Sequence, residues 1–208
     1  MHTRKMFILR HGETDQNRNG IVQGRGINST LNETGLHQSK AFYQQYKNIE
    51  FDHIRCSSQQ RSYQTIQHFD SSDRPILRDS RLDEIGWGEH EGKAGDPELM
   101  EKYYRIINSW SNGNYSDAAQ GGESAWELSL RLQSFLDEVH ALDFKNALIC
   151  THGRTLRAMI CLLKKQELMH MELVYHSNTG LYVAEFNNDD WQIILENDCN
   201  HLSKSIER

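Results

Sequence analysis

Two apolar runs constrain this chain more than any other feature. Met6–Leu9 (MFIL) and Ala147–Cys150 (ALIC) each lead into a histidine followed by a glycine, at Arg10-His11-Gly12 and Thr151-His152-Gly153. Read as buried strands of one parallel sheet, they set both histidines on its carboxyl-terminal side, where open α/β sheets bind ligands. Glycine after each histidine lets the backbone approach a ligand closely and turn without a Cβ clash. The helix expected after His152 aims free N–H groups at the same spot, which favours an anion. Arg61, one turn into a helix after another strand, adds a cation beside Arg10. Two arginines, two histidines and a helix N-terminus describe a pocket for a dianion such as phosphate. The planar fork of arginine suits it because it grips two oxygens at once.

The rest of the chain alternates short and long apolar periods. Lys5–Leu9 reads as a strand and Asn32–Asn48 as a helix, after the polar loop NGIVQGRGINST. His53–Ser57 is a second strand, Gln59–Phe69 a helix and Pro75–Leu77 a brief third strand. Polar residues and glycines make Asp79–Asp96 a surface loop. Pro97 suits the first turn of a helix running to about Trp110, and SNGNYSDAAQGG is a second loop. Glu123–Leu142 has helical spacing through Trp126, Leu130, Phe135 and Val139. Asn146–Cys150 is a buried strand, THGRTLRAMICLL a loop and helix, and LYVAEF and WQIILE are strands joined by a turn at Asn187–Asp190. Strands alternating with helices predict a three-layer α/β/α sandwich on a mainly parallel sheet. Residues 1–208 read as one domain with a helical and loop insertion at about 79–122.

Charge narrows the partners. The 208 residues carry a formal net charge of -6, which disfavours a general nucleic-acid or anionic-membrane binder. Any anionic substrate then needs a local cluster of cations. No apolar run approaches the ~20 residues of a membrane span, and MHTRKMFILRHG lacks the pattern of a signal peptide. The expectation is a soluble cytoplasmic protein, with a homodimer left open. Cys56, Cys150, Cys161 and Cys199 show no metal-type pairing, and Cys150 and Cys161 read as buried thiols.

Five blocks in order carry a resemblance. They are LRHGET at Leu9–Thr14 with Asn17 and the pair Gln23-Gly24 following, SSQQRSYQT at Ser57–Thr65, LDEIGWGEHEG at Leu82–Gly92, GGES at Gly121–Ser124, and THG at Thr151–Gly153. With them the chain, from about Lys5 to about Glu196, resembles the histidine phosphatase superfamily, the phosphoglycerate mutase-like fold. The resemblance implies His11 as a nucleophile that forms a phosphohistidine. It implies Arg10, Arg61 and His152 as ligands of the transferred phosphoryl group. Asn17, Gln23, Gly24 and the backbone at Gly153 complete the phosphate site, and Glu84 is the proton donor and acceptor. That dual role calls for a carboxyl group whose pKa is raised toward neutrality. No metal and no cofactor are implied, because the protein supplies the positive charge.

Each assignment has a plainer rival. Arg10 or Arg61 alone would be a solvated arginine, and Asp83, Glu89 and Glu91 crowd the loop of Glu84, which is preferred for its place in the L-x-E motif. His90 and His176 match no motif and are assigned to surface or core. Trp87, Trp110 and Trp126 are candidates for a substrate pocket, with helix-face packing preferred for Trp126. Where the family often has an aspartate and a P-L-T turn after the QG pair, this chain has Asn28 and Ser29. The segment Lys93–Gln120 is short, with one proline and no adjacent arginines, unlike the mutase branch. The reading is therefore a metal-independent phosphomonoesterase for a small phosphorylated metabolite. A phosphoglycerate mutase is the alternative, and a non-catalytic phosphate-binding module the second. Lys93, Lys102, Arg105 and Arg154 are candidates for reading a second substrate charge.

Overall fold

The computed structural model describes residues 3–187 and 190–203. Its strands are β1 (Arg4–Arg10), β2 (His53–Cys56), β3 (Leu77–Arg78), β4 (Asn146–Thr151), β5 (Leu181–Asn187) and β6 (Asp190–Asp198). They form one sheet in the order β3-β2-β4-β1-β5-β6. The first four are parallel where they pair, and β5 and β6 add an antiparallel edge. The helices are α1 (Asp15–Arg18), α2 (Glu33–Tyr46), α3 (Gln60–Ile66), α4 (Pro97–Ser111), α5 (Ala125–Ala141), α6 (Gly153–Leu163) and α7 (Asn200–Ser203). Among the described residues no helix is long and apolar enough to cross a membrane.

The run MFIL is apolar throughout because β1 is covered on both faces. Met6 and Ile8 join Leu128, Leu132, Phe135 and Leu156 from α5 and α6, while Phe7 and Leu9 join Phe42 and Ile66 from α2 and α3. Each fully buried side chain of this size contributes roughly 1.5–3 kcal/mol of transfer free energy. The helices start where the sequence provides caps: Asn32 for α2, Asp96 with Pro97 for α4, and Ser124 with Glu127 as a capping box for α5. Thr14 and Asn17 form a further capping box around α1, a helix too short to show a period in the sequence.

Several expectations need correction. The third strand is Leu77–Arg78 rather than Pro75–Leu77, since proline has no N–H for the ladder. The expected surface loop Asp79–Asp96 is interior in its middle, where Leu82, Asp83, Glu84, Ile85, Trp87 and His90 are buried, and exposed from Gly92 to Asp96 as expected. Trp126 does not pack on the core. It is 52% exposed and Leu130 54% exposed, because the buried arc of α5 runs through Ala125, Leu128, Leu132, Phe135, Leu136 and Val139. A helical step of about 100° carries Trp126 off that arc. The predicted turn at Asn187–Asp190 has its central residues, 188 and 189, outside the described residues.

Candidate active site

Adjacent, in-register strands bring the two histidines together. Arg10 of β1 pairs with Thr151 of β4, the His11 N–H donates to the Thr151 carbonyl at 2.9 Å, and the His11 and His152 rings lie 5.0 Å apart. The glycines serve packing more than ligand approach. A Cβ on Gly12 would sit 2.9 Å from the Gly35 carbonyl oxygen in α2, and one on Gly153 would meet the His176 ring at 3.0 Å.

His11 Nδ1 lies 2.7 Å from the Gly12 carbonyl oxygen. A carbonyl only accepts, so Nδ1 carries the hydrogen and Nε2 the lone pair. Burial first, then Arg61 and Arg10, holds the His11 pKa well below its ordinary value. His152 is lowered in the same way by burial and by Arg61. Its Nε2 is 2.6 Å from Ser57 Oγ, which also accepts the Gln59 N–H. The serine hydrogen has no other acceptor among the described residues and is assigned to Nε2, which leaves His152 Nδ1–H as a buried donor with no partner among them. Arg61 is fully buried, with Nη1 on the Ile27 carbonyl and with Nε and Nη2 unpartnered. Arg10 donates from Nη1 to the His176 carbonyl at 3.2 Å and has an unpartnered Nε. Burial pushes both guanidinium groups down to about 10. Buried donors without acceptors are costly; Arg10 and Arg61 line one pocket with His11, where an anion would satisfy them, while His152, fully buried with its ring 5.0 Å from that of His11, is not part of that lining.

Glu84 stands at the start of α6. Oε2 accepts the Arg154 N–H at 3.1 Å, while Oε1 accepts the Thr155 N–H at 3.1 Å, the Thr155 hydroxyl at 3.0 Å and the Ile85 N–H at 3.0 Å. The carboxylate therefore takes much of the helix terminus expected to face the anion, leaving Gly153 as the α6 backbone on the pocket wall. Oε2, with one hydrogen bond, keeps a free lone pair. Asp83 is committed to Ser58, and Glu91 accepts the Trp87 N–H.

Asn17 lines the pocket with its Oδ1 engaged by Thr14, so its amide N–H groups are the ones free to donate. Gln23 also lines it, held by Thr14 and by Ser29. Gly24 does not line it. Its carbonyl accepts from Gln59 Nε2 at 3.0 Å, and a Cβ there would collide with Glu91, so its role is to let the loop close over Glu91. Asn28 and Ser29, which depart from the family pattern, fasten this loop to the Gln60 N–H and to Gln23.

The pocket holds about 350 Å³. Beyond the floor it is walled by Trp87, Tyr103, Tyr104, Arg154, Arg157 and Glu172. Of the four suggested second-charge readers only Arg154 is on this wall; Lys102 pairs with Glu98, and Lys93 and Arg105 face other clefts. Trp110 is buried beneath, 5.7 Å from Trp87. His90 is buried, as core. His176 corrects the sequence reading: it lines the pocket, and burial with Arg10 pushes its pKa down to about 3. Arg154 and Arg157 stand three apart on α6, a same-face spacing that could have flagged Arg157. Glu172 and His176 carry no comparable sequence signal.

Four histidines with lowered pKa values, His11, His152 and His201 buried and His176 half-buried, imply a pH-dependent stability. Below about 6.5 the unfolded chain binds protons that the folded chain does not. Stability is then held above pH 6.5 and lost as pH falls, with a slope approaching roughly 1.4 kcal/mol per pH unit for each histidine. Denaturant unfolding at pH 7.5 and pH 5 checks this, and equal unfolding free energies would contradict it.

Comparison with known proteins agrees with the architecture. The putative phosphoserine phosphatase 2 of Hydrogenobacter thermophilus is 28% identical, over 95% of this chain and 97% of its own. A 2,3-bisphosphoglycerate-dependent phosphoglycerate mutase of Bartonella quintana is 27% identical, over 89% and 94%. Among solved structures, phosphoserine phosphatase of Entamoeba histolytica in complex with 3-phosphoglyceric acid superposes with a TM-score of 0.81 at 25% identity, covering 96% of this chain and 99% of that one. The family model described as histidine phosphatase superfamily (branch 1) matches residues 6–199. With that match spanning nearly its whole length, the chain belongs to the histidine phosphatase superfamily.

Proposed function

We propose that the protein is a phosphoric monoester hydrolase for a small phosphorylated metabolite, working through a phosphohistidine at His11. The observation that carries this reading is the His11 Nε2 lone pair beside buried donors with no acceptor among the described residues. Nε2 attacks phosphorus as the ester P–O bond breaks, while Arg10, Arg61, His152 Nδ1–H and Asn17 hold the phosphoryl oxygens. The leaving alkoxide takes a proton from Glu84 Oε2. Water then attacks the phosphohistidine, giving a proton to the same oxygen, and the N–P bond breaks to release phosphate. The positive charge for transfer comes from the two arginines, so the reaction proceeds without a metal. Relatives named as phosphatases support a hydrolase.

The mutase relatives keep a second reading in view. One experiment separates the two: phosphate release in EDTA from a panel that includes O-phosphoserine and 3-phosphoglycerate with a bisphosphoglycerate primer. His11-dependent release supports the hydrolase, and accumulation of 2-phosphoglycerate without release supports the mutase.

The acid role makes its own prediction. Glu84→Gln lowers kcat/KM for alkyl esters by about 10²–10⁴-fold, but for an activated aryl ester by less than about tenfold, because that leaving group departs without a proton. Equal losses on both ester types would remove Glu84 from the role.

A further inference from the structure

The outer half of the pocket carries a charge pattern that the phosphoryl chemistry does not use. Glu172, in the turn Leu168–Leu173, lines the pocket and holds two arginines of α6, with Oε1 on Arg154 and Oε2 on Arg157. The other terminal nitrogen of Arg154 reaches the Tyr103 hydroxyl at 3.3 Å, and its guanidinium stands 5.8 Å from the Trp87 and Trp110 ring centres. Both terminal nitrogens of Arg154 are thereby engaged. Arg157 reaches Glu172 through Nη1, and its Nε is buried with no partner among the described residues. An anion entering here meets two arginines whose Nη1 groups already hold Glu172, and lies beside that carboxylate.

The charge count points the same way. A phosphate dianion offsets Arg10 and Arg61, and Glu172 halves the charge that Arg154 and Arg157 offer a second anion in the same cavity. The pocket histidines His11 and His176 add none while they are neutral. The surface beside these charges is aromatic, with Trp87 and Tyr103 ring centres 4.7 Å apart.

We infer that Glu172 sets the charge of the leaving group: the pocket takes phosphate monoesters whose alcohol has no net negative charge and packs against Trp87 and Tyr103, and Glu172 disfavours esters with a second anion. The inference rests on the monoester hydrolase reading for its chemistry, but its selectivity is readable from binding alone.

The test uses a matched pair, phenyl phosphate and para-carboxyphenyl phosphate. The carboxylate makes the phenoxide a slightly better leaving group, so chemistry alone favours the charged ester. The expected result is a kcat/KM for phenyl phosphate at least about tenfold the higher, from repulsion between two like charges at close range. Glu172→Gln brings that ratio to about threefold or below, or inverts it. A wild-type protein that treats the two esters alike, or a variant that folds and keeps the wild-type ratio, overturns the inference. If the variant fails to fold, the wild-type ratio decides. Calorimetric binding of phenylphosphonate and para-carboxyphenylphosphonate separates this inference from the reading beneath it. A tenfold affinity gap with no ester hydrolysed would sink the hydrolase and keep the charge selection. Equal phosphonate affinities would sink the charge selection whatever the hydrolysis.

Discussion

Replacing His11 by alanine abolishes phosphate release from every ester, by at least about 10⁴-fold, the scale of loss when a covalent nucleophile is removed. The remaining groups bind phosphate without forming a bond to it, so the chemical step is lost while binding survives. Arg10, Arg61 and His152 keep their unpartnered nitrogens, and the variant should still be stabilised by added phosphate. The fold should persist, because the His11 side chain hydrogen-bonds to the carbonyl of the next residue, Gly12. Alanine also removes a group that is costly to protonate when buried. Phosphate release together with a thermal shift in added phosphate checks both parts; retained turnover would end the phosphohistidine account.

Arg61→Met should have the opposite profile: activity falls by about 10³-fold, phosphate no longer stabilises the protein, and the ligand-free fold becomes more stable. Arg61 is fully buried, and its pKa is lowered from the ordinary guanidinium value to about 10, with burial the largest cause. That shift corresponds to a cost of roughly 3 kcal/mol for keeping the charge at neutral pH. The cost is present below pH 10 and relieved as pH rises through it. Against it stands the one hydrogen bond to the Ile27 carbonyl, worth about 1.5–3 kcal/mol for a charged donor. Glu84 and Asp83 attract Arg61, but their carboxylates are already satisfied by α6 and by Ser58, so its loss leaves neither unpaired. Methionine fills much of the volume, and neutral replacements of buried charges are often stabilising. The expected net is a rise of a few degrees in melting temperature. A clear fall in melting temperature, or undiminished turnover, would contradict the account.

The parts of the site that were legible in the sequence are those fixed by strand ends. A strand buried on both faces shows as an unbroken apolar run, and the residues just beyond it must lie at the sheet's edge; that argument alone placed Arg10, His11, His152 and Gly153. Arg61 followed because α3 begins directly after β2. The outer wall was not legible by this route. Tyr103 and Tyr104 sit on α4, whose position over the sheet depends on tertiary packing, and Glu172 and His176 lie in the connection between α6 and β5, which has no period. Composition misled where polarity served the interior: the stretch holding Asp83 and Glu84 is polar because its carboxylates satisfy the N–H of Ser58 and the buried N–H groups of α6. The helix α5 was found by its period, yet its face was misjudged, since Trp126 and Leu130 repeat at helical spacing on the exposed side.

The central claim is a covalent bond between His11 and the phosphoryl group. Rapid alkaline quenching of the enzyme during turnover of an ester labelled with radioactive phosphate, followed by peptide mapping, tests it most directly, because phosphohistidine survives alkali and is lost in acid. The account predicts acid-labile label on the peptide containing His11, forming and decaying at rates fast enough to carry turnover and absent from His11→Ala. Turnover with no label on the protein, or with label on another residue, would contradict it.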